Sequence, residues 1–182
     1  MNYSVIESAT HIILDRDGVI NKKANLVTGE KYILRSEDLE IYSDFFEFAT
    51  WAEGKNKVLI VATNQQGLAL GLLLATSLDA IHAKIQAELQ LRRARSIDRF
   101  YVCGHLDGEC DCRKPAPGLL LTILSDYNIP KSSVVFVGDS LSDKLAADRA
   151  DVRFVQMHRD PNDEIFAIHH ISSFEDLIGM VG

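Results

Sequence analysis

The sequence is poor in positive charge and in long apolar runs, and each shortage argues against a class of protein. Its 182 residues carry 19 Lys and Arg against 26 Asp and Glu, a formal net charge of −7. Non-specific nucleic-acid binding needs a basic surface, so that class is disfavoured. No apolar run approaches the roughly 20 residues of a membrane span, and residues 1–10 lack a basic segment followed by an apolar one. We therefore expect no membrane partner, no secretory signal and a cytoplasmic protein.

Short apolar runs alternate with segments of helical pattern along the whole chain. The length suits a single domain over residues 1–182. The predicted strands are 11–14, 58–62, 99–103, 133–137 and 152–156, with a further one at 168–171. The predicted helices are 38–51, 74–94, 115–127, 141–150 and one from 174. This alternation predicts a three-layer α/β/α, Rossmann-like parallel sheet with right-handed crossovers.

Polar residues follow three of the predicted strands directly. Asp15 follows the first strand, Thr63 and Asn64 follow the second, and Asp139 comes just after the strand at 133–137. In open parallel sheets the ligand crevice lies at the carboxyl ends of the strands. Residues far apart in the sequence are therefore expected to converge on one site.

The acidic residues at these strand ends are suited to Mg²⁺. Asp15 and Asp17 lie two apart before Gly18, which permits a tight turn, and Asp139 and Asp143 lie in a second acidic segment. Carboxylate oxygens are hard ligands that Mg²⁺ accepts, with substrate phosphate completing its coordination. We therefore predict a magnesium site that contains Asp15 and Asp17, to which Asp139 and Asp143 can supply further acidic oxygens.

The same residues predict phosphoryl transfer. An attacking carboxylate, Asp15, is repelled by a phosphate dianion unless cations neutralise both, and Lys114 can supply charge beside the metal. The Thr63 hydroxyl can donate to the phosphoryl oxygens, and Asp17 can carry the proton to the leaving group. Each residue taken alone is also typical of turns and helix caps; the combination at strand ends favours catalysis.

The three cysteines lie within ten residues and fit metal ligation better than a disulfide framework. Cys103 and His105 are followed by Cys110 and Cys112, and three thiolates with one imidazole make a closed tetrahedral Zn²⁺ set. Such a metal would be structural, and would hold the neighbouring Lys114 in place. The alternative is three incidental cysteines and a surface histidine.

The segment DRDGVIN at 15–21, Thr63, Lys114 and GDSLSD at 138–143 together resemble the haloacid dehalogenase (HAD) superfamily of phosphatases. The resemblance implies that Asp15 is the nucleophile and Asp17 the general acid/base. Thr63 and Lys114 would then hold the phosphoryl group, and Asp15, the backbone carbonyl of Asp17 and Asp139 would bind Mg²⁺. The short intervals between these motifs imply that no large cap domain is inserted and that the cleft is open.

Further segments, TNQQG at 63–67 and CRKPAPG at 112–118, are similar to a zinc-containing branch of that superfamily. The branch holds heptose-bisphosphate and histidinol-phosphate phosphatases. The heptose type, which serves bacterial surface-polysaccharide synthesis, is the better match. It implies a small sugar-bisphosphate substrate, a monomer, and a substrate site formed by Asn21, the residues just after it, Asn64, Gln65 and Arg113.

This chain departs from the heptose type at four places. Leu70 stands where Arg is frequent, Ser140 stands where Lys is frequent, and residues 22–31 form a longer stretch than usual. The cysteine loop is shorter than is frequent in the heptose type and is closer to that of histidinol-phosphate enzymes. Three alternatives therefore stay open. They are a phosphatase of histidinol phosphate or another metabolite, a polynucleotide 3′-phosphatase, and a non-catalytic phosphate-binding module.

Overall fold

A computed structural model describes residues 4–24 and 32–179 of the chain. The strands are β1 (His11–Leu14), β2 (Val58–Asn64), β3 (Ile97–Cys103), β4 (Val134–Gly138), β5 (Arg153–Met157) and β6 (His170–Ile171). The helices are α1 (Ser4–Glu7), α2 (Ser43–Gly54), α3 (Ala75–Leu91), α4 (Gly118–Asp126), α5 (Leu141–Ala150) and α6 (Phe174–Gly179). Most of the long stretch at 22–31 lies outside the described residues.

All six strands are parallel and form one sheet in the order β3-β2-β1-β4-β5-β6. Leu14, the last residue of β1, pairs with Val61 on one side and with Val137 on the other. The strand order reverses direction at β1, so the loops after β1 and β4 leave a crevice between them. The predicted parallel α/β fold is confirmed, and Asp15 lies at the centre of its carboxyl edge.

The sheet is covered by helices on both faces, which explains why its central strands are continuously apolar. Ile12 and Leu14 face the core that contains Phe48 of α2, whereas Ile13 faces a second core with Ala147 of α5. All five of these residues are fully buried. Alternate side chains of one strand thus anchor both helical layers.

Two predicted helices begin later than the sequence pattern indicated. The helix predicted from residue 38 begins at Ser43, because the preceding chain is extended: Ile41 bridges to Asn21, and the Tyr42 N–H donates to the Ile20 carbonyl at 3.0 Å. The helix predicted from residue 115 begins at Gly118. The helical backbone conformation is disfavoured for a residue that precedes a proline. The helix therefore does not extend back beyond Pro117.

Within the described residues, the intervals between the strands consist of the helices that cover the sheet and the loops that join them. Among residues 4–24 and 32–179, neither the β1–β2 nor the β2–β3 connection forms an additional domain, as predicted. Within the same ranges, no helix has the length and apolar character needed to cross a bilayer.

Candidate active site

Three carboxylates and one lysine form the centre of the site. Asp15 follows β1, Asp139 follows β4 and Asp143 lies in α5, and one oxygen of each lies within 4.8 Å of the others. The Lys114 ammonium lies 2.7 Å from Asp15 Oδ1 and 2.5 Å from Asp143 Oδ1. Asp15, Asp143 and Lys114 are buried. The sheet therefore brings together charges that come from three separate parts of the chain.

Burial sets the ionisation of this cluster. It raises the pKa of Asp15 to about 8; the Lys114 charge opposes the shift, and Asp143 and Asp139 add to it. Burial likewise raises the pKa of Asp139 to about 6. Burial alone would lower the pKa of Lys114, but its two carboxylate partners raise it. Carboxylates held so close together repel one another unless a cation compensates their charge. This oxygen-only donor set therefore fits a magnesium ion.

Gly18 lets the β1 loop approach these carboxylates. Its φ of +90° belongs to the region that glycine favours, and a Cβ there would lie 2.0 Å from Asp139 Oδ2. No larger residue fits without moving the carboxylate. The predicted tight turn after Asp17 is therefore a requirement of the cluster.

Lys114 is held in place through its backbone as well as its side chain. The Asn64 side-chain amide donates to the Lys114 carbonyl at 2.9 Å, and the Lys114 N–H donates to Asn64 Oδ1 at 3.2 Å. The Lys114 ammonium also donates to the carbonyl of Ala62. The end of β2 thus fixes both the loop and the cation that it carries.

Asp17 points into a set of hydrogen-bond donors. It accepts from Arg16 at 2.9 Å, from Asn21 at 2.9 Å and from Gln65 at 2.8 Å. Burial alone would raise the pKa of Asp17, but the Arg16 charge and the hydrogen bonds from Asn21 and Gln65 hold it below its usual value. Asp17 is therefore a carboxylate in this arrangement.

Gln65 connects Asp17 to the end of β2. Its Nε2 donates to Thr63 Oγ1 at 2.9 Å as well as to Asp17, and both Gln65 and Thr63 are buried. Arg113 donates to Gln66 Oε1 at 3.0 Å, while its buried Nη1 has no hydrogen-bond partner among the described residues. Of the predicted substrate residues, Asn21 and Gln65 thus contact Asp17, and Asn64 contacts the Lys114 backbone.

The cysteine cluster closes into a compact four-ligand set beside the site. Cys103 Sγ lies 3.6 Å from Cys110 Sγ and 3.3 Å from Cys112 Sγ, and His105 Nδ1 lies 3.7 Å from Cys103 Sγ. Ligands at about 2.3 Å from a tetrahedral metal are separated by about 3.8 Å. The thiolate and imidazole donors and their spacing fit a tetrahedral metal ion.

The chain has clear relatives. D-glycero-alpha-D-manno-heptose-1,7-bisphosphate 7-phosphatase of Campylobacter jejuni is 35% identical over 141 residues, which cover 78% of this chain and 77% of the relative. D-glycero-beta-D-manno-heptose-1,7-bisphosphate 7-phosphatase of Pseudomonas aeruginosa is 36% identical over 147 residues, which cover 79% and 78%. The chain belongs to this heptose-bisphosphate phosphatase family of the HAD superfamily.

Other comparisons agree with this membership. Residues 111–164 match the HAD-hydrolase-like family. The crystal structure of D,D-heptose 1,7-bisphosphate phosphatase from B. bronchiseptica, complexed with magnesium and phosphate, superposes with a TM-score of 0.80 at 27% identity. It covers 93% of this chain and 98% of the crystallised one. The resemblance inferred from the motifs is confirmed.

Ser140, where this HAD chain departs from an expected lysine, has a structural role. It is the N-cap of α5: its Oγ accepts from the Asp143 N–H at 3.2 Å, and Asp143 Oδ2 accepts from the Ser140 N–H at 3.1 Å. Such a reciprocal cap stabilises a helix by about 1 kcal/mol. It also orients Asp143 toward Lys114. Leu70, the other departure, is 46% exposed.

A cavity of about 230 Å³ opens beside Asp17 in this HAD site. Its other lining residues are Lys23, Ala24, Tyr32, Ile33, Asn64 and Gln65. Asn64 and Gln65 were expected in the substrate site from the sequence. Lys23 lies just after Asn21, in the segment that the resemblance implied for the substrate site. Tyr32 and Ile33 were not expected, because they follow no strand and belong to no recognisable motif.

Two contacts of the cluster were also outside the site predicted from the sequence. Asp143, noted only as a further acidic oxygen, is a direct partner of Lys114. Lys23 lies 2.5 Å from Asp139 Oδ2. The four-residue spacing of Asp139 and Asp143, across the start of α5, is a signal for the first contact. Nothing in the sequence indicates the second.

Proposed function

We propose that this HAD-family protein is a magnesium-dependent D-glycero-D-manno-heptose 1,7-bisphosphate 7-phosphatase. The observation that carries the proposal is the buried Asp15 between Lys114 and Asp139 at the carboxyl edge of the sheet, in a chain whose relatives are named for that reaction. Small phosphorylated sugars would be its substrates. A monomer acting in the cytoplasm is part of the same proposal.

Asp15 is the nucleophile. Its carboxylate attacks phosphorus, the ester bond breaks, and an aspartyl phosphate forms on Asp15. The Lys114 ammonium, which already contacts Asp15, neutralises charge on the transferring group, and the Thr63 hydroxyl donates to it. Mg²⁺ would be held by the Asp15 and Asp139 carboxylates and the backbone carbonyl of Asp17, and would supply further positive charge to the phosphoryl oxygens.

Asp17 transfers the proton. Its carboxylate form, which the present hydrogen bonds maintain, is the form that activates water for the second step. Protonation of the leaving oxygen in the first step requires the acid form. Substrate must therefore displace at least one donor from Asp17 before it can act as an acid.

The polar residues around Asp17 and Lys114 have different roles. Asn21 and Gln65 donate their amide groups to Asp17, so we assign them a role in positioning that carboxylate. Asn64 holds the Lys114 backbone and borders the cleft. Arg113, with one nitrogen unpaired among the described residues, is available to bind substrate phosphate.

The second metal has a structural role in this proposal. Cys103, His105, Cys110 and Cys112 would hold Zn²⁺, and these four ligands would fill its coordination positions. Cys112 immediately precedes Arg113 and Lys114 in the chain. Ordering of the cysteine loop therefore also orders Arg113 and Lys114, whose positive charges contact the phosphate.

The test is phosphate release from heptose 1,7-bisphosphate, compared with histidinol phosphate and a 3′-phosphorylated oligonucleotide. Asp15→Asn is expected to abolish turnover and leave the circular dichroism spectrum unchanged. Asp79→Asn, on the exposed face of α3, is the matched control with normal turnover. Normal activity of Asp15→Asn refutes the nucleophile, and preference for another substrate refutes the heptose assignment.

A further inference from the structure

Arg16 places a positive charge in the interior of the fold, and its side chain is fully buried. Its Nη2 donates to Asp17 Oδ2 at 2.9 Å and to Oδ1 at 3.1 Å, and its Nε donates to Oδ1 at 3.3 Å. None of these bonds uses Nη1. Because a buried donor without a partner is costly, Nη1 needs an acceptor from another part of the chain.

His82 of α3 supplies that acceptor. Its Nε2 lies 3.5 Å from Arg16 Nη1, and Asp17 and His82 are the side chains that bond Arg16 within the described part of the chain. A guanidinium has donors only, so Nε2 must be unprotonated and the ring must carry its proton on Nδ1. Burial, together with the Arg16 charge, lowers the pKa of His82 to about 4, which keeps the ring neutral at pH 7.

Two elements fix the orientation of the His82 ring. The ring stacks on Phe100 of β3, with centroids 4.0 Å apart and 12° between the planes. Ile81 and Ile85 on either side of it in α3 are fully buried, so the helix itself is held on the sheet. Packing of α3 and β3 therefore directs Nε2 toward Arg16.

A continuous line of contacts thus runs from α3 through Arg16 to both oxygens of Asp17. We propose that His82 is a positioning residue, which holds Arg16 so that Arg16 keeps the Asp17 carboxylate in one orientation for proton transfer. His82 acts through Arg16 and not on the substrate. The inference rests on the phosphatase function proposed above, in which Asp17 protonates the leaving oxygen.

His82→Leu is the test variant, because it removes the acceptor and keeps an apolar side chain against Phe100. His82→Gln is the conservative variant, because it places an amide oxygen at about the position of Nε2. His11→Leu is the matched control: His11 is also half-buried and contacts an aromatic ring, that of Tyr127, but it lies at the start of β1, whereas Asp15 follows its end.

The assay compares two kinds of ester in each protein. One is p-nitrophenyl phosphate, whose leaving group departs without a proton. The other is the alkyl phosphate that wild type hydrolyses fastest among the three substrates named above, whose leaving oxygen needs the proton of Asp17. In His82→Leu, kcat/KM for the alkyl ester is expected to fall about fivefold with KM unchanged, and kcat/KM for the aryl ester to fall less than twofold.

A merely structural role for His82 would lower both activities alike, so the ratio of the two values of kcat/KM isolates the positioning role. His82→Gln is expected to recover most of the loss, and His11→Leu to keep the wild-type ratio. Should His82→Leu not fold, His82→Asn replaces it, since its shorter amide does not reach Arg16. Equal losses for the two esters, or a His82→Gln that is as impaired as His82→Leu, would overturn the proposal.

Nitrogen-15 NMR of the His82 ring gives a readout that needs no substrate. The proton is expected on Nδ1, and a proton on Nε2 would overturn the proposal because that nitrogen could not accept from Arg16. A wild type that hydrolyses no ester would refute the proposed function and this inference with it. An active wild type whose ratio is unchanged in His82→Leu would refute the role of His82 alone.

Discussion

Raising the pH is expected to destabilise the magnesium-free protein through Asp15. The folded protein holds the Asp15 proton with a pKa of about 8, against 3.8 for an unperturbed group. Because the folded pKa is the higher one, the bound proton stabilises the folded state, and this contribution disappears as the pH rises through the folded pKa. For these two values the loss between pH 6 and pH 9 is roughly 2–3 kcal/mol. Asp139, with a pKa of about 6, adds little in this window.

Urea denaturation between pH 6 and pH 9 measures this effect. Magnesium should be removed by desalting without a chelator, which leaves the cysteine site undisturbed. Asp15→Asn removes the titrating group, so its free energy of unfolding is expected to change less with pH than that of wild type, by roughly 2–3 kcal/mol over the window. Excess Mg²⁺ is expected to stabilise wild type more at pH 9 than at pH 6, since the ion binds the ionised carboxylate.

The comparison of wild type with Asp15→Asn isolates the contribution of Asp15, because the histidines and thiols that titrate in the same range are common to both. A wild type whose stability follows that of Asp15→Asn at every pH would contradict the buried, proton-binding state of Asp15. So would a magnesium effect that is larger at pH 6 than at pH 9.

Two further outcomes concern the cysteine loop. Gly118→Ala is expected to destabilise the fold by more than about 2 kcal/mol and to weaken metal retention, because a Cβ there would lie 2.2 Å from the Asp111 carbonyl oxygen. Gly54→Ala is the control, because its Cβ would meet nothing within 4 Å. Equal melting temperatures of the two variants would refute the steric argument. Elemental analysis is expected to find about one Zn²⁺ per chain, and Cys112→Ser to lose both the metal and most of the turnover; a metal-free, fully active protein would refute the structural zinc site.

Much of the fold follows from local patterns. The apolar run at residues 11–14 predicts β1 with its observed ends, because a strand buried on both faces must be apolar at every position. The end of β3 at Cys103 also agrees. The starts of α2 and α4 were placed too early, since the chain before α2 pairs with residues 20–22 and Pro117 precedes α4. The pairing of the chain before α2 with residues 20–22 cannot be predicted from composition alone.

The candidate site divides in the same way. Asp15, Thr63 and Asp139 could be found from the sequence because each directly follows a predicted strand, and parallel strands bring their ends to one edge. The four ligands of the cysteine loop could be found because they lie within ten residues of one another. Where chemistry depends on local spacing, the order of residues carries enough information.

The contacts between distant segments were decided by the tertiary structure alone. Lys23 meets Asp139, and Gln65 donates to Asp17, only because the sheet places β1 between β2 and β4. Burial in that crevice, which no residue has by itself, raises the pKa of Asp15. At Asp17 the Arg16 charge and the hydrogen bonds from Asn21 and Gln65 outweigh burial and hold the pKa below its usual value. The sequence by itself determined which chemical groups reach the carboxyl edge of the sheet. Packing decided which of them are paired, which carry charge, and which are free to meet a substrate, because these properties depend on distance and on the exclusion of water.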